Sequence, residues 1–262
     1  MNLLFLGDCV GKPGLQAIAE HLPRLRGELN LQAIVVNAEN AADGSGLTKR
    51  QFGKLMDAGV DCLTMGDHIY RRDEIKDILR NDRRIVKPAN YPATAAGHDW
   101  TSFTAANGVE VAVISLLGRV YMRPVDCPFA AADRVLAEMP AEIRVKLCDI
   151  HAEATSDKQL VGRYLDGRVS AVLGTHTHVP TADACILPGG TAFQTDVGMS
   201  GPYHSVIGRN VERVLQTTIS FEPTHFYVAT EDVRLCGALV TVDPASGSAT
   251  AIERFEYRCD NT

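Results

Sequence analysis

An α/β fold is predicted for the 262-residue chain by three observations. Short apolar runs alternate with helical periodicity through the first two thirds, the runs are rich in Val, Ile and Leu on both faces, and turn residues separate them. Such runs fit buried parallel strands joined by crossover helices. The expected strands are Leu3–Leu6, Ala33–Val36, Cys62–Met65, Val109–Leu117, Val145–Ile150 and Ser170–Leu173. Between the first two, Pro13–Leu29 carries Leu15, Ile18, Leu22, Leu25 and Leu29 at helical spacing, with Pro13 suited to a first turn. Pro23 inside that segment predicts a kink or break. Thr48–Ala58 reads as a capped helix ended by Gly59, and Ser156–Asp166 as another ended by Gly167. After Pro180 come a strand at Thr191–Thr195, a helix around Ser205–Thr218 and strands at Phe226–Ala229, Leu235–Val242 and Ala249–Tyr257. The turn-rich segment from Asp243 to Ser248 makes the last two an antiparallel hairpin. No repeat or low-complexity linker interrupts the chain, so one domain over residues 1–262 is expected.

Charged residues make up 22% and the AVILMFWYC set 45%, ordinary values for a folded soluble chain. The formal charge of −6 offers no broad attraction for long nucleic acids, but a small anion held by a local cationic centre is compatible with it. No apolar run is long enough to span a membrane. The opening Leu3–Leu6 run is cut by Gly7 and Asp8 too early for a signal-peptide core, so a cytoplasmic location is expected. The seven cysteines contain no Cys-x-x-Cys pair and read as reduced thiols rather than as a thiolate metal site. A homo-oligomer is the expected assembly.

The side chains able to bind metal fall where predicted strands end. Asp8 follows the first strand, Glu39 and Asn40 the second, Asp67 and His68 the third, His151 the fifth, and His176 and His178 the sixth. Ligands in α/β sheets bind outside the carboxyl ends of strands, so these scattered residues are expected to converge. Singly, each has a plain structural reading: Asp8 caps a turn, Asn40 sits in a loop, His151 is a satisfied core histidine. The segment Gly174-Thr175-His176-Thr177-His178 shifts that balance, because alternate residues of an extended chain face one side. Two imidazoles there need partners to offset burial. Oxygen ligands with three imidazoles and no thiolate suit iron, manganese or zinc. They are too many for one tetrahedral site, which favours two ions bridged by a carboxylate.

With these residues assembled, the chain resembles the calcineurin-like metallophosphoesterases, and most closely their YmdB-like branch. The matching stretches are Gly7-Asp8-Cys9-Val10-Gly11, Asn37-Ala38-Glu39-Asn40, Gly66-Asp67-His68-Ile69, the segment from His151 to Lys158, and Gly174-Thr175-His176-Thr177-His178. Asp196-Val197-Gly198-Met199-Ser200-Gly201-Pro202 and Ser205-Val206-Ile207-Gly208 complete the series in the family's order. The resemblance implies a β-sandwich flanked by helices in αββα layers. It also implies hydrolysis of small phosphodiesters such as 2′,3′-cyclic or 3′,5′-cyclic nucleotides by a hydroxide held between two divalent ions, Fe or Mn, with Zn as an alternative. It assigns Asp8, Asn40 and His178 to one ion, Asp67, His151 and His176 to the other, and Glu39 to both. His68 becomes the proton donor. Val10 stands where the wider superfamily has a histidine, a loss the YmdB-like branch shares. Asp67 replaces the family's usual asparagine; it can still ligate, and its charge should tighten metal binding while reducing the positive charge facing substrate.

Arg71 and Arg72 read as the exposed start of the next helix, and His204 as a secondary candidate to reach the pocket from the far loop. An amidohydrolase barrel also uses His-x-His, but after its first strand rather than the sixth. A P-loop fails because Gly7 to Gly11-Lys12 is one residue short and Pro13 stands at the magnesium-binding position. A regulatory protein that holds a nucleotide or RNA end with little turnover is the alternative from another functional class.

Overall fold

A computed structural model describes residues 1–259. Its elements begin with β1 (Asn2–Leu6), β2 (Asp8–Cys9), α1 (Gly11–Glu28), β3 (Leu31–Asn37), α2 (Lys49–Asp57), β4 (Cys62–Thr64) and α3 (Ile75–Asn81). They continue with β5 (Ile85–Val86), β6 (Trp100–Thr104), β7 (Glu110–Leu117), α4 (Pro128–Glu138), β8 (Val145–His151), α5 (Thr155–Leu165) and β9 (Ala171–Thr175). The chain ends through β10 (Cys185–Ile186), β11 (Ala192–Gln194), β12 (Met199–Pro202), α6 (Val211–Ser220), β13 (Val233–Val242) and β14 (Ala249–Arg258).

Two sheets result. One runs β2-β12-β13-β1-β3-β4-β5, with β14 pairing to β13; the other runs β10-β11-β9-β8-β7-β6. Strands β1, β3, β4 and β5 are parallel, as are β7, β8, β9 and β11. The two-residue periodicity of a strand explains the layering. Leu3 and Phe5 of β1 join Val35, Val113, Leu147 and Leu173 in the core between the sheets. Leu4 and Leu6 point the other way, into a second core with Ile18 and Leu22 of α1 and Leu55 of α2. A third core joins Ile114 and Cys148 of the other sheet to Val135 of α4 and Val161 of α5. Each large aliphatic side chain so buried contributes about 1.5–3 kcal/mol. The layers are therefore αββα.

Local chemistry accounts for several boundaries. The Gln51 N–H donates to Thr48 Oγ1 at 3.3 Å and the Thr48 N–H donates to Gln51 Oε1 at 3.0 Å, a capping box that starts α2. β13 and β14 pair antiparallel, as their turn residues predict. Pro23, by contrast, does not break α1, which continues to Glu28. Pro23 and Ala19 both lie on the exposed face, where water can serve the carbonyl that proline leaves without a donor. Phe226–Ala229 forms no strand and contributes only a bridge from Val228 to Arg209. The final helix starts at Val211 rather than Ser205, because Asn210 caps it by accepting from the Arg213 N–H at 3.1 Å. No helix among the described residues is long and apolar enough to cross a membrane.

Candidate metal centre

The parallel strands of both sheets end at the same edge of the sandwich, which places all eight predicted residues in one region. Asp8 follows β1, Glu39 and Asn40 follow β3, Asp67 and His68 follow β4, His151 ends β8, and His176 and His178 follow β9. Asp8, Glu39 and His151 are fully buried and Asn40 nearly so. Gly66 makes the approach of the two sheets possible: a Cβ there would lie 2.3 Å from both Glu39 Oε2 and His151 Cδ2.

Two groups of ligand atoms meet at Glu39. In one, His151 Nε2 lies 3.1 Å from Glu39 Oε1, 3.2 Å from Asp67 Oδ1 and 3.0 Å from His176 Nδ1. Glu39, Asp67, His151 and His176 can offer one atom each within 4.8 Å of one another, a cluster that can hold a metal ion. In the other, Asp8 Oδ1, Glu39 Oε1 and His178 Nε2 converge on Asn40 Nδ2, at 3.2, 3.4 and 3.3 Å. Three converging acceptors call for a positive centre; with a cation there, the Asn40 amide would present Oδ1 in place of its NH₂.

The outward nitrogen of each imidazole is engaged, which fixes the inward one. His151 Nδ1 donates to Thr175 Oγ1 at 2.8 Å, because that hydroxyl gives its own proton to Asp149 Oδ1 at 2.6 Å. His176 Nε2 lies 3.2 Å from Glu153 Oε2, and His178 Nδ1 donates to the Ile207 carbonyl at 3.0 Å. Such outer partners orient metal-binding histidines and raise their basicity.

Electrostatics agree with a cation-demanding site. Burial opposes ionisation of Asp8, but His178 and His151 outweigh it and hold the carboxyl well below its usual range. Burial likewise opposes charge on Asp67, and His151 and His68 depress it in the same way. Burial works against charge on His151 and His178, yet Glu39 raises the first well above an ordinary imidazole and Asp8 raises the second. Burial and the neighbouring His151 lower His176. Each ligand group thus holds one imidazole that retains a proton to higher pH than usual. Only the neutral ring is a ligand, so metal uptake must displace protons, and affinity should fall steeply on acidification. Calorimetric titration with Mn²⁺ in buffers of different ionisation enthalpy is expected to show net proton release at neutral pH. Uptake without release would refute this linkage.

The backbone corrects one premise. His176 and His178 do not alternate on an extended strand: β9 stops at Thr175, and their φ angles are 97° and 65°. Two left-handed bends bring both rings inward, an arrangement non-glycine residues adopt only when neighbours enforce it. The enforcing group is Asp196, whose Oδ2 accepts from the Thr177 N–H at 3.1 Å, Thr177 Oγ1 at 2.6 Å and Lys158 Nζ at 2.7 Å. His204 is not in the site; it is exposed and pairs with Glu231 at 3.1 Å. Arg72 reaches the Ala42 carbonyl at 3.2 Å and does not line the pocket beside the ligand groups.

Sequence patterns missed the supporting residues. Asp149, buried in the apolar strand β8, accepts from Thr64 Oγ1 at 2.6 Å and Asn37 Nδ2 at 3.0 Å as well as from Thr175. Burial raises its pKa to about 6 despite these donors. The available signal was spacing: Asn37 and Asp149 each stand two residues before a predicted ligand, and Asp149 shares a face of β8 with His151.

The sequence model of the YmdB-like protein family matches residues 4–255. The chain belongs to that family. A Bacillus subtilis member named 2′,3′-cyclic-nucleotide 2′-phosphodiesterase is 42% identical, covering 100% of this chain and 98% of its own. A Mycoplasma genitalium protein named as a phosphatase/phosphodiesterase is 32% identical over 100% of this chain and 94% of its own. Among solved structures, a hypothetical protein from Thermus thermophilus superposes with TM-score 0.92 at 40% identity, covering 98% of this chain and 99% of that one. A Mycoplasma pneumoniae phosphatase gives 0.91 at 31%, covering 98% and 93%. For this YmdB-like chain the phosphatase match bears out the layered α/β fold expected from the resemblance.

Proposed function

We propose that this chain is a metal-dependent phosphodiesterase acting on small cyclic diesters such as 2′,3′-cyclic nucleotides. The observation that carries the reading is Glu39 standing between two groups of ligand atoms, beside a pocket that His68 also lines. Asp8, Asn40 and His178 would hold one divalent ion, Asp67, His151 and His176 the other, and Glu39 both. Bound there, the ions supply Lewis acidity that activates water and neutralises phosphate charge. The 42% identity to the Bacillus enzyme supports phosphodiester chemistry.

The chain's own groups supply the rest. The pocket beside the ligands encloses about 360 Å³ and is lined by His68, Glu153 and Arg209 in addition to ligand residues. Arg209 contributes a cation that can face a phosphate oxygen. His68 Nδ1 lies 2.7 Å from the Asn40 amide; with that amide turned to present Oδ1 to an ion, its NH₂ would donate to Nδ1, which puts the ring proton on Nε2, the nitrogen able to release it to the departing alkoxide. Its side chain is 26% exposed, whereas that of Glu39 is 1% exposed, so the donor has the open position. Iron and manganese suit the mixed oxygen and imidazole set, and zinc is the alternative.

Elemental analysis of the purified protein, coupled to assays on 2′,3′- and 3′,5′-cyclic nucleotides and an aryl phosphodiester, tests the reading. Two ions per chain and turnover abolished by chelation are expected. Tight nucleotide binding with turnover no faster than in an Asp8→Asn, His68→Ala double variant would instead make this a regulatory binding protein.

A further inference from the structure

We propose that a second, larger cavity beside the metal pocket seats an additional nucleotide, so that the preferred substrate is a short oligonucleotide end carrying the cyclic phosphate. This deepens the phosphodiesterase reading and rests on it. The cavity encloses about 980 Å³, against about 360 Å³ for the metal pocket, and Arg209 lines both. It follows α1 from Lys12 to His21, about 13 Å of helix. At the Lys12 end, the Gly11 N–H donates to the carbonyl of Asn40 at 2.9 Å, so that end adjoins the metal-site loop.

The lining brings cations and aromatic rings together, with Glu20 and Asp43 as its carboxylates. Lys12, Arg72 and Arg209 cluster toward the metal-site loop. Arg209 spends its hydrogen bonds on carbonyls, at 2.8 Å to Asp43, 3.2 Å to Phe226 and 2.5 Å to Gly44, while the Asp43 carboxylate pairs with Arg72 at 3.5 Å. These carbonyls fix the guanidinium in the wall between the two cavities without neutralising it, and Asp43 is the carboxylate whose charge acts on it. Beside Arg209, which donates to the intervening Phe226 carbonyl, His225 and Tyr227 meet edge to face at 4.8 Å between ring centroids; the Arg213 guanidinium lies over the Tyr227 ring at 5.5 Å, and Tyr227 is 53% exposed. Half-exposed aromatic rings beside cations are stacking platforms for bases of any sequence. The net charge of −6 argues against a long polyanion, which limits the occupant to a short end.

With Mn²⁺-loaded protein, kcat/KM is measured on a 2′,3′-cyclic mononucleotide and on a dinucleotide ending in the same cyclic phosphate. The dinucleotide is expected to be preferred about tenfold or more, mainly through KM, with the preference shrinking as salt rises. Tyr227→Ala, which removes the platform, and Gln16→Trp, which fills the cavity from α1, should each erase most of that preference and leave the mononucleotide rate within about twofold. Equal wild-type values, or a preference that survives both substitutions, would overturn the proposal. So would a change of assembly mass on light scattering with loss of mononucleotide turnover in Gln16→Trp, which would mark a contact between copies. Failure of the wild type on both substrates and on an aryl diester would instead remove the phosphodiesterase reading, and this proposal with it.

Discussion

Alanine at position 68 is expected to leave two metal ions bound while slowing hydrolysis of a 2′,3′-cyclic nucleotide by roughly 10²–10⁴-fold. The size follows from the leaving group. An unactivated alkoxide departs only with a proton, whereas an aryl oxide leaves without one, so an aryl phosphodiester should lose far less. His68 Nδ1 also hydrogen-bonds the Asn40 amide at 2.7 Å, so alanine removes a hydrogen bond beside the candidate metal centre as well as an acid. His68→Gln separates the two: its amide can still hydrogen-bond the Asn40 amide but cannot titrate, and the same selective loss is expected. Metal content by elemental analysis and kcat on both substrates decide the matter. Equal losses on the two substrates would remove His68 from the proton-donor role.

How much of this was legible in the sequence depended on where the determining contacts lay. Strands β1, β3, β4, β7, β8 and β9 announced themselves because both faces are apolar, and that pattern needs no knowledge of neighbours. The same pattern hid their division between two sheets. Helix α4 gave a weak signal because its buried face includes the small Ala131 and Ala132. β12, with the sequence Met-Ser-Gly-Pro, has no strand periodicity and exists because β2 and β13 supply its hydrogen bonds.

The candidate site follows the same division. Residues directly after apolar strands were identifiable because strand ends of one sense share an edge. The bends at His176 and His178 were not, since Asp196, some twenty positions later, sets them through Thr177. Asp149 was overlooked for a related reason: its three donors come from Asn37, Thr64 and Thr175 on three other strands.

Replacing Lys158 with methionine is expected to cost about 3–5 kcal/mol of stability, because it leaves Asp196 as a buried carboxylate without its cation. The two side chains are 1% and 0% exposed, and the pair reaches the metal centre through one residue. Lys158 Nζ also donates to Thr177 Oγ1 at 3.1 Å, and Asp196 Oδ1 is committed to the Gly198 N–H at 2.8 Å. All four donors around Asp196 need an acceptor. An asparagine there must turn its NH₂ toward one of them, so Asp196→Asn should loosen the bend that aims His176 and His178. The double variant Lys158→Met, Asp196→Asn buries no charge and should regain much of the lost stability, read as the urea midpoint. Its Mn²⁺ affinity should stay about 10–100-fold below the parent, since the histidines have lost their outer support. Recovery of affinity together with stability would show that the pair sustains the fold alone. Recovery of stability without affinity would identify Lys158 and Asp196 as positioning residues, acting on both ligand groups through the single bend between them.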